Sequence, residues 1–421
     1  MPQLWAGVDA GKTHHHCVVL DSTGKTLLSR RLANRETDIR RLLTDIASLQ
    51  AGADTVWATD LNYGGAGLLH AVLTDTRQQL HYISGRAVYH AALTYRGEAK
   101  TDAKDAGIIA DQARVRTDLT AIRPVDEVSA ELRLLSARRE DLVHDRTRTV
   151  NRLRALLTHY FPSLEAAFNY AGTKTPVVLL TRYQTPAAIK KMGERRLATW
   201  LKGQGCWKSA DVAAAAVRAA AEQDTAVPGE AAAARMVGHI ARDLLRIREQ
   251  IADVKAEITA MLPNNPLAEP LMSIPGFGAR LTADVLAIVG TDLTHFESAD
   301  RFASYAGLAP VPRDSGKISG NHHRPRRYDR RLLNACYQAA FIAARRCPVS
   351  KAFYERKRRE GKSHKQALIA LARRRINVMW AILRDGSTYI PAEPAALARR
   401  VSPRPGSAMM QKEGRRLIGN G

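Results

Sequence analysis

The first 115 residues alternate short apolar runs with polar breaks, and the spacing changes from one segment to the next. Leu4-Trp5-Ala6-Gly7-Val8-Asp9 is an apolar run ending in a carboxylate, which predicts a buried strand. After a break at Ala10-Gly11-Lys12-Thr13, residues His14 to Leu20 predict a second strand. The turn Asp21-Ser22-Thr23-Gly24-Lys25 leads to a third near Thr26–Arg30. Helices are expected over Glu36–Leu49, Gly65–Thr76 and Asp102–Arg114, and further strands over Asp54–Asp60 and Leu80–Ser84.

Three hairpin-linked strands followed by helix, strand, helix, strand is the order of an α/β ribonuclease-H-like (RuvC-like) domain, here residues 1–123. In that order the first strand lies beside the fourth, which sets Asp9 next to Asp60. Asp102 and Asp105 stand at i and i+3, so they share one helical face.

Beyond Pro124 the period becomes helical. Val128, Leu132, Leu135, Leu142, Leu153 and Leu156 follow a heptad seam that Arg139, Arg146 and Thr149 interrupt. Val237, Ile240, Leu244, Ile247, Ile251, Val254, Ile258 and Met261 alternate spacings of three and four without a break, the a/d stripe of a coiled coil, either a hairpin or a dimer. Residues 124–265 therefore read as a coiled coil carrying an insertion of short helices at about 163–230, with little core of its own. Pro263-Asn264-Asn265-Pro266 reads as a linker into a mainly α-helical, basic domain over 266–390. Residues 391–421, with Pro403, Pro405 and Gly406, are expected to be a disordered tail.

Charge narrows the function. A net charge of +23 over 421 residues implies a polyanionic partner, DNA or RNA. No run approaches the roughly 20 apolar residues of a membrane span, and the first residues carry no secretory signal pattern. Four cysteines without metal-ligand spacing suit a reducing, cytosolic setting.

The candidate chemistry is centred on Asp9, Asp60, Asp102 and Asp105. Two-metal phosphoryl transfer needs carboxylates converging from different elements to hold cations about 4 Å apart. An all-oxygen set suits Mg²⁺ or Mn²⁺. Asp9 and Asp60 each end an apolar strand, where a carboxylate is costly unless paired or metal-bound. Ala6-x-x-x-x-Gly11-Lys12-Thr13 also fits a loose Walker A pattern, and Asp9–Thr13 the phosphate turn of actin-like sugar kinases. Thr13 leads into an apparent strand rather than the helix a Walker loop requires; the kinase turn shares this opening topology, but no adenosine-side glycine motif accompanies it and a charge of +23 is odd for a kinase of small sugars. His14-His15-His16 alternate faces on that strand, so they read as structural or surface residues.

In the C-terminal domain, Ser273-Ile274-Pro275-Gly276-Phe277-Gly278-Ala279-Arg280 resembles a helix-hairpin-helix turn, whose amides around Gly276 and Gly278 would meet a phosphate. Downstream lie Tyr305-Ala306-Gly307-Leu308-Ala309-Pro310, Arg313-Asp314-Ser315-Gly316-Lys317, and then Arg324, Arg326, Arg327, Arg330 and Arg331. The cations form a candidate phosphate-binding patch. Ser315, in a Gly-flanked turn among them, is a candidate nucleophile.

Taken together, these segments resemble the insertion-sequence one-ten family of transposases, which includes Piv-type DNA invertases. The likeness covers the first ~125 residues and about 270–384, with a coiled coil between. It rests on Asp9, Asp60, Asp102 and Asp105 as a DEDD set, on Ile274–Gly278, on Tyr305–Pro310 and on Ser315-Gly316. The family's second acidic residue is usually glutamate; here it is Asp60, one methylene shorter. The resemblance implies a bacterial, nucleoid-associated recombinase acting on donor and target DNA, guided by a structured non-coding bridge RNA. It further implies that Ser315 (Ser319 as fallback) forms a phosphoserine link. A dimer or tetramer, assembled through the coiled coil, would bring one protomer's aspartates to another's serine. The residues alone leave two rivals: a RuvC-like, structure-specific metal nuclease using water, and a non-catalytic nucleic-acid-binding scaffold.

Overall fold

The structure, a computed structural model, describes residues 3–49, 52–62, 64–97, 100–122, 126–290, 293, 296–316 and 319–391. The chain forms two compact units, Met1–Val125 and Asp126–Gly421. The tail expected to be disordered lies, beyond Pro391, outside the described residues.

In the first unit, β1 (Gln3–Ala10), β2 (His14–Leu20), β3 (Thr26–Ala33), β4 (Asp54–Thr59), β5 (Gln79–Tyr82) and β6 (Thr120–Ala121) form one sheet in the order β3-β2-β1-β4-β5-β6. β1 pairs antiparallel with β2 and parallel with β4, as the ribonuclease-H-like order predicts. Strand alternation sorts the side chains onto two faces. Leu4, Ala6, Val8, Cys17 and Val19 pack with Ile39 and Leu42 of α1 (Glu36–Leu49) and with Leu69 and Leu73 of α2 (Gly67–Asp75). Helix α3 (Gly85–Ala92) is an addition to the expected elements. Ser84, expected to end a strand, is its N-cap and accepts from the Ala87 amide.

The opposite sheet face carries α4 (Asp102–Val115), started by Thr101, whose side chain accepts from the Lys104 amide. Val18 and Leu20 meet Ala106 and Ala110 there. The helix lies unusually close to the sheet because both surfaces are small. A Cβ on Gly7 would stand 2.2 Å from the Ala106 carbonyl oxygen and 2.2 Å from the Ala110 amide nitrogen. Glycine at position 7 thus determines how near the first turn of α4 comes to the end of β1.

In the second unit, α5 (Glu127–Tyr160) and α11 (Glu230–Met261) are long helices packed against each other. They run antiparallel: Leu132 shares a core with Ile258 and Leu262, whereas Leu153 and Leu157 share one with Val237 and Leu244. The two ends of the apolar stripe are therefore buried within the chain, as in the hairpin form of the coiled coil, while Ile247 and Ile251 at its middle are only partly buried. Between them lie α6 (Pro162–Ala167), α7 (Thr175–Leu180), α8 (Pro186–Met192), α9 (Glu194–Gly203) and α10 (Ser209–Ala221). The expectation of little core in this segment is wrong. Leu164, Val177, Leu179, Leu180, Ile189, Leu197 and Leu201 are fully buried against the two long helices. Helices of two or three turns show too few periods for a stripe to be legible.

The expected linker at 263–266 is likewise not a boundary. A 3₁₀ turn at Leu262–Asn264 leads to Asn265, which is buried; its side chain accepts from the Leu267 amide at 2.9 Å and donates to the Gly290 carbonyl at 3.4 Å. Helices α12 (Ala268–Ser273), α13 (Ala279–Val289), α14 (Ala299–Tyr305), α15 (Arg330–Arg346), α16 (Pro348–Arg359) and α17 (His364–Asp385) complete this unit. The ends of α5 and α11 share the core of α12, α13, α15 and α17. A short hairpin, β7 (Val311–Pro312) with β8 (His322–His323), projects between α14 and α15 in the sequence. No helix among the described residues is long and apolar enough to cross a membrane.

Candidate active site

The β1–β4 register ends on Val8 opposite Thr59, so Asp9 and Asp60 leave the two strand ends side by side. Asp102 and Asp105 enter from the first turn of α4, where the helix dipole favours negative charge. The aspartates interact electrostatically. Burial first, then Asp60, Asp102 and Asp105, push the Asp9 carboxyl up to about 6. Asp60 is also raised, by burial and by Asp105, against the pull of the nearby Ala10 and Asp60 backbone amides. Its Oδ1 is buried without a hydrogen-bond partner, and Gly85 leaves the space beside Oδ2 open, a Cβ there lying 3.7 Å away.

Among the described residues, no three His, Cys, Asp or Glu side chains close tightly enough to form a ligand shell. Mutually repelling carboxylates are expected to splay. The donor set nevertheless fits a hard divalent cation: oxygen only, partly buried at Asp9, Asp60 and Asp105 and exposed at Asp102, with Asp60 Oδ1 making no hydrogen bond. With chelator present, the charged form of Asp9 is disfavoured in the fold. Its cost is absent below the ordinary value of 3.8 and complete above about 6. Stability should therefore fall as pH rises through that window. Asp9→Asn should lessen the fall, leaving the part due to the likewise raised Asp60, and stabilise the chelated protein by about 1 kcal/mol at neutral pH, less than the full shift because solvent screens a half-buried group. Urea melts across the window check this; a flat wild-type profile would contradict it.

Sequence reasoning misses His16. In an antiparallel ladder directly paired residues share a face, and His16 pairs with Asp9. Its Nε2 lies 3.0 Å from the Ser29 hydroxyl, and the Asp102 charge acts on it. The available signal is alternation: His15 points to the other face and is 1% exposed, with both ring nitrogens unpartnered. Only the middle histidine of the triplet is structural in that sense. The Walker A reading fails on topology, because Ala10–Thr13 joins two strands. Asn34 holds this loop by donating to the Lys12 and Gly65 carbonyls, at 3.2 and 2.9 Å.

In the second unit, the β7–β8 hairpin carries Ser315, which is solvent-exposed, as is Ser319. The hairpin is closed by the Arg313 amide donating to the Asn321 carbonyl at 2.8 Å and the Asn321 amide donating to Asp314 Oδ1 at 2.9 Å. Gly316 has φ +51, a conformation glycine adopts freely. Lys317 lies outside the described residues. Arg313, Arg326, Arg327 and Arg330 are exposed or half-buried, and their guanidinium groups make no hydrogen bond or ion pair among the described residues. Arg324 instead donates to the Tyr328 hydroxyl at 2.8 Å, and Arg331 pairs with Glu140 at 3.2 Å.

The Tyr305–Pro310 motif has a packing cause. Gly307, at φ +68, lies under the Tyr328 ring, where a Cβ would approach to 2.5 Å. The two glycines of the helix-hairpin-helix-like turn differ. Gly276, at φ +97, packs on α15, a Cβ there meeting the Ala339 carbonyl oxygen at 2.3 Å, so its close approach is internal. Gly278, the N-cap of α13, is open: a Cβ there would have nothing within 4 Å.

An α/β sheet of this order, with carboxylates gathered at the ends of its first and fourth strands and on a following helix, defines a ribonuclease-H-like domain of the DEDD type. The comparisons with known proteins specify it further. Residues 6–162 match a family model described as a transposase, of the DEDD type, and residues 268–355 match the transposase IS116/IS110/IS902 family. The chain is 49% identical over 395 residues to the insertion element IS900 uncharacterized 42 kDa protein of Mycobacterium paratuberculosis, covering 94% of this chain and 99% of that protein. It is 45% identical over 392 residues to the insertion element IS116 uncharacterized 44.8 kDa protein of Streptomyces clavuligerus, covering 93% and 97%. A shorter match, 33% over 128 residues, covers 30% of this chain and 39% of the pilin gene-inverting protein of Moraxella lacunata. The chain belongs to the IS116/IS110/IS902 family of transposases.

Proposed function

We propose that the protein cuts and rejoins DNA by a divided chemistry, in which Asp9, Asp60, Asp102 and Asp105 hold divalent metal, Mg²⁺ or Mn²⁺, and Ser315 is the nucleophile. The observation that supports the metal half is that Asp60, Asp102 and Asp105 all act electrostatically on Asp9 at one sheet end, with Asp60 Oδ1 buried and unpartnered. When bound there, the cation would neutralise charge on the reacting phosphate. The serine half is supported by an exposed Ser315 on a hairpin beside the unpaired Arg313. Its Oγ would attack phosphorus as the P–O3′ bond breaks, the departing oxygen taking a proton to become a free 3′-hydroxyl. A 3′-hydroxyl from the exchanging strand would then attack the phosphoserine and return the serine.

Arg313, Arg326, Arg327 and Arg330, with Lys317, would hold backbone phosphates, and the open turn at Gly278 would add amides. The family resemblance supports a structured guide RNA that pairs with donor and target DNA. It also supports assembly of several protomers, one supplying aspartates and another the serine.

Asp9→Asn tests the metal half. DNA cleavage should fall by about a thousand-fold, the rate equivalent of several kcal/mol of lost charge stabilisation, while nucleic-acid affinity measured by filter binding stays within about two-fold. Cleavage at the wild-type rate would sink the metal assignment.

A further inference from the structure

The heptad seam of α5 is broken by charge at two positions, Arg139 and Arg146, seven residues apart and so on one face of the helix. A helix pair selected for stability alone would carry apolar side chains there, since a desolvated cation at a seam lowers stability. The break coincides with a gap between the two cores of the second unit. Leu132 belongs to one core and Val150 and Leu153 to the other.

Cations from other helices gather at this gap. Arg280 comes from the first turn of α13, Arg331 from the first turn of α15, and Arg248 from α11. The carboxylates acting on Arg139 are Asp284 and Glu140, and each is already engaged. Arg280 pairs with Asp284 at 3.3 Å, and Arg331 with Glu140 at 3.2 Å. Arg248 is engaged too, donating to the carbonyls of Tyr170, Ala171 and Thr173. Arg139 and Arg146 make no hydrogen bond or ion pair among the described residues, and both are partly buried. Arg139 is acted on by Arg280 as well as by Arg146, and Arg146 also acts on Arg248. Two unpaired guanidinium groups remain in a setting already rich in positive charge. Such a cluster is unfavourable without an anion and well suited to one, because guanidinium matches phosphate geometry.

We propose that Arg139 and Arg146 form a second phosphodiester-binding site, which tracks a nucleic-acid backbone along the seam of α5. The inference rests on the reading of the chain as a nucleic-acid enzyme, but it is independent of the aspartates and of Ser315. A site of this kind fixes the position of the nucleic acid and carries no base readout.

The test is equilibrium binding of the full chain across a salt series, with duplex DNA in one arm and single-stranded RNA in the other. Replacing both arginines by glutamine should reduce the slope of log affinity against log salt by one to two, about 0.9 per lost contact on duplex or about 0.7 on a single strand. The arm that changes identifies the backbone held there. Folding should persist, because the substitution removes unpaired charge, and Arg146→Gln alone should lose about half the effect. Arg148→Gln, removing an exposed cation already paired with Asp145, should leave the slope nearly unchanged. An unaltered slope in both arms for the folded double variant would overturn the site, as would an equal loss from Arg148→Gln. Loss of DNA cleavage with an unchanged slope would count against the proposal as well. Failure of the catalytic reading would instead appear in the Asp9 and Ser315 variants, with this salt response intact.

Discussion

Ser315→Ala is expected to abolish strand exchange, with a loss of roughly a million-fold, the scale on which removing an attacking side chain acts, and so below detection in ordinary assays. The expectation depends on what the hydroxyl does rather than on what it holds together. Ser315 is exposed, and the hairpin beneath it is closed by Arg313, Asp314 and Asn321 without its side chain. Folding, nucleic-acid affinity and the charge state of the aspartates should therefore be unaffected by the change. Cleavage that survives in Ser315→Ala would favour a RuvC-like nuclease that uses water. Loss of both cleavage and folding would show the residue to be structural. Ser319→Ala is the necessary partner experiment, since Ser319 is equally exposed; it should leave strand exchange intact.

Gly7→Ala is expected to be the most damaging change outside the chemistry. The added methyl would sit 2.2 Å from two backbone atoms of α4 and 2.8 Å from the Ala110 Cα, where no side-chain rotation relieves the clash. Either α4 moves off the sheet or the first unit loses its fold. We expect a destabilisation of about 3 kcal/mol, at the upper end for overpacking, read as a lower urea midpoint. The site should fail before the fold does, because Asp102 and Asp105 begin the same helix. Gly107→Ala, on the same helix, where a Cβ meets only Val18 Cγ1 at 3.9 Å, should be nearly neutral. Equal stability of the two variants would contradict the role given to Gly7.

How far the fold is legible in the sequence depends on the length of each pattern. The first unit reads almost strand by strand, because each strand has a clear apolar run and each break has turn chemistry. Asp9 beside Asp60, and Asp102 with Asp105 on one helix, follow from that order. Helices α6–α9 hide their core because helices of six to ten residues offer too few repeats. The Pro-Asn-Asn-Pro segment misleads because turn-forming residues indicate local geometry, not whether the turn is buried. Asn265 satisfies its own polar groups inside the core. His16 is hidden among its neighbours in the triplet, although alternation alone separates its face from that of His15. Gly276 looks open to phosphate in the sequence, whereas its contact is with α15. The distinction between a glycine that admits a ligand and one that admits a helix is tertiary, and no local pattern carries it.

The most direct test of the divided chemistry is to trap the reaction on a DNA substrate, digest the protein and locate any covalently attached nucleotide by mass spectrometry. A phosphodiester adduct is expected on the peptide containing Ser315, absent in Ser315→Ala and strongly reduced in Asp9→Asn. An adduct on Tyr328, whose hydroxyl is engaged by Arg324, would contradict the divided chemistry, as would DNA cleaved at the wild-type rate with no adduct at all.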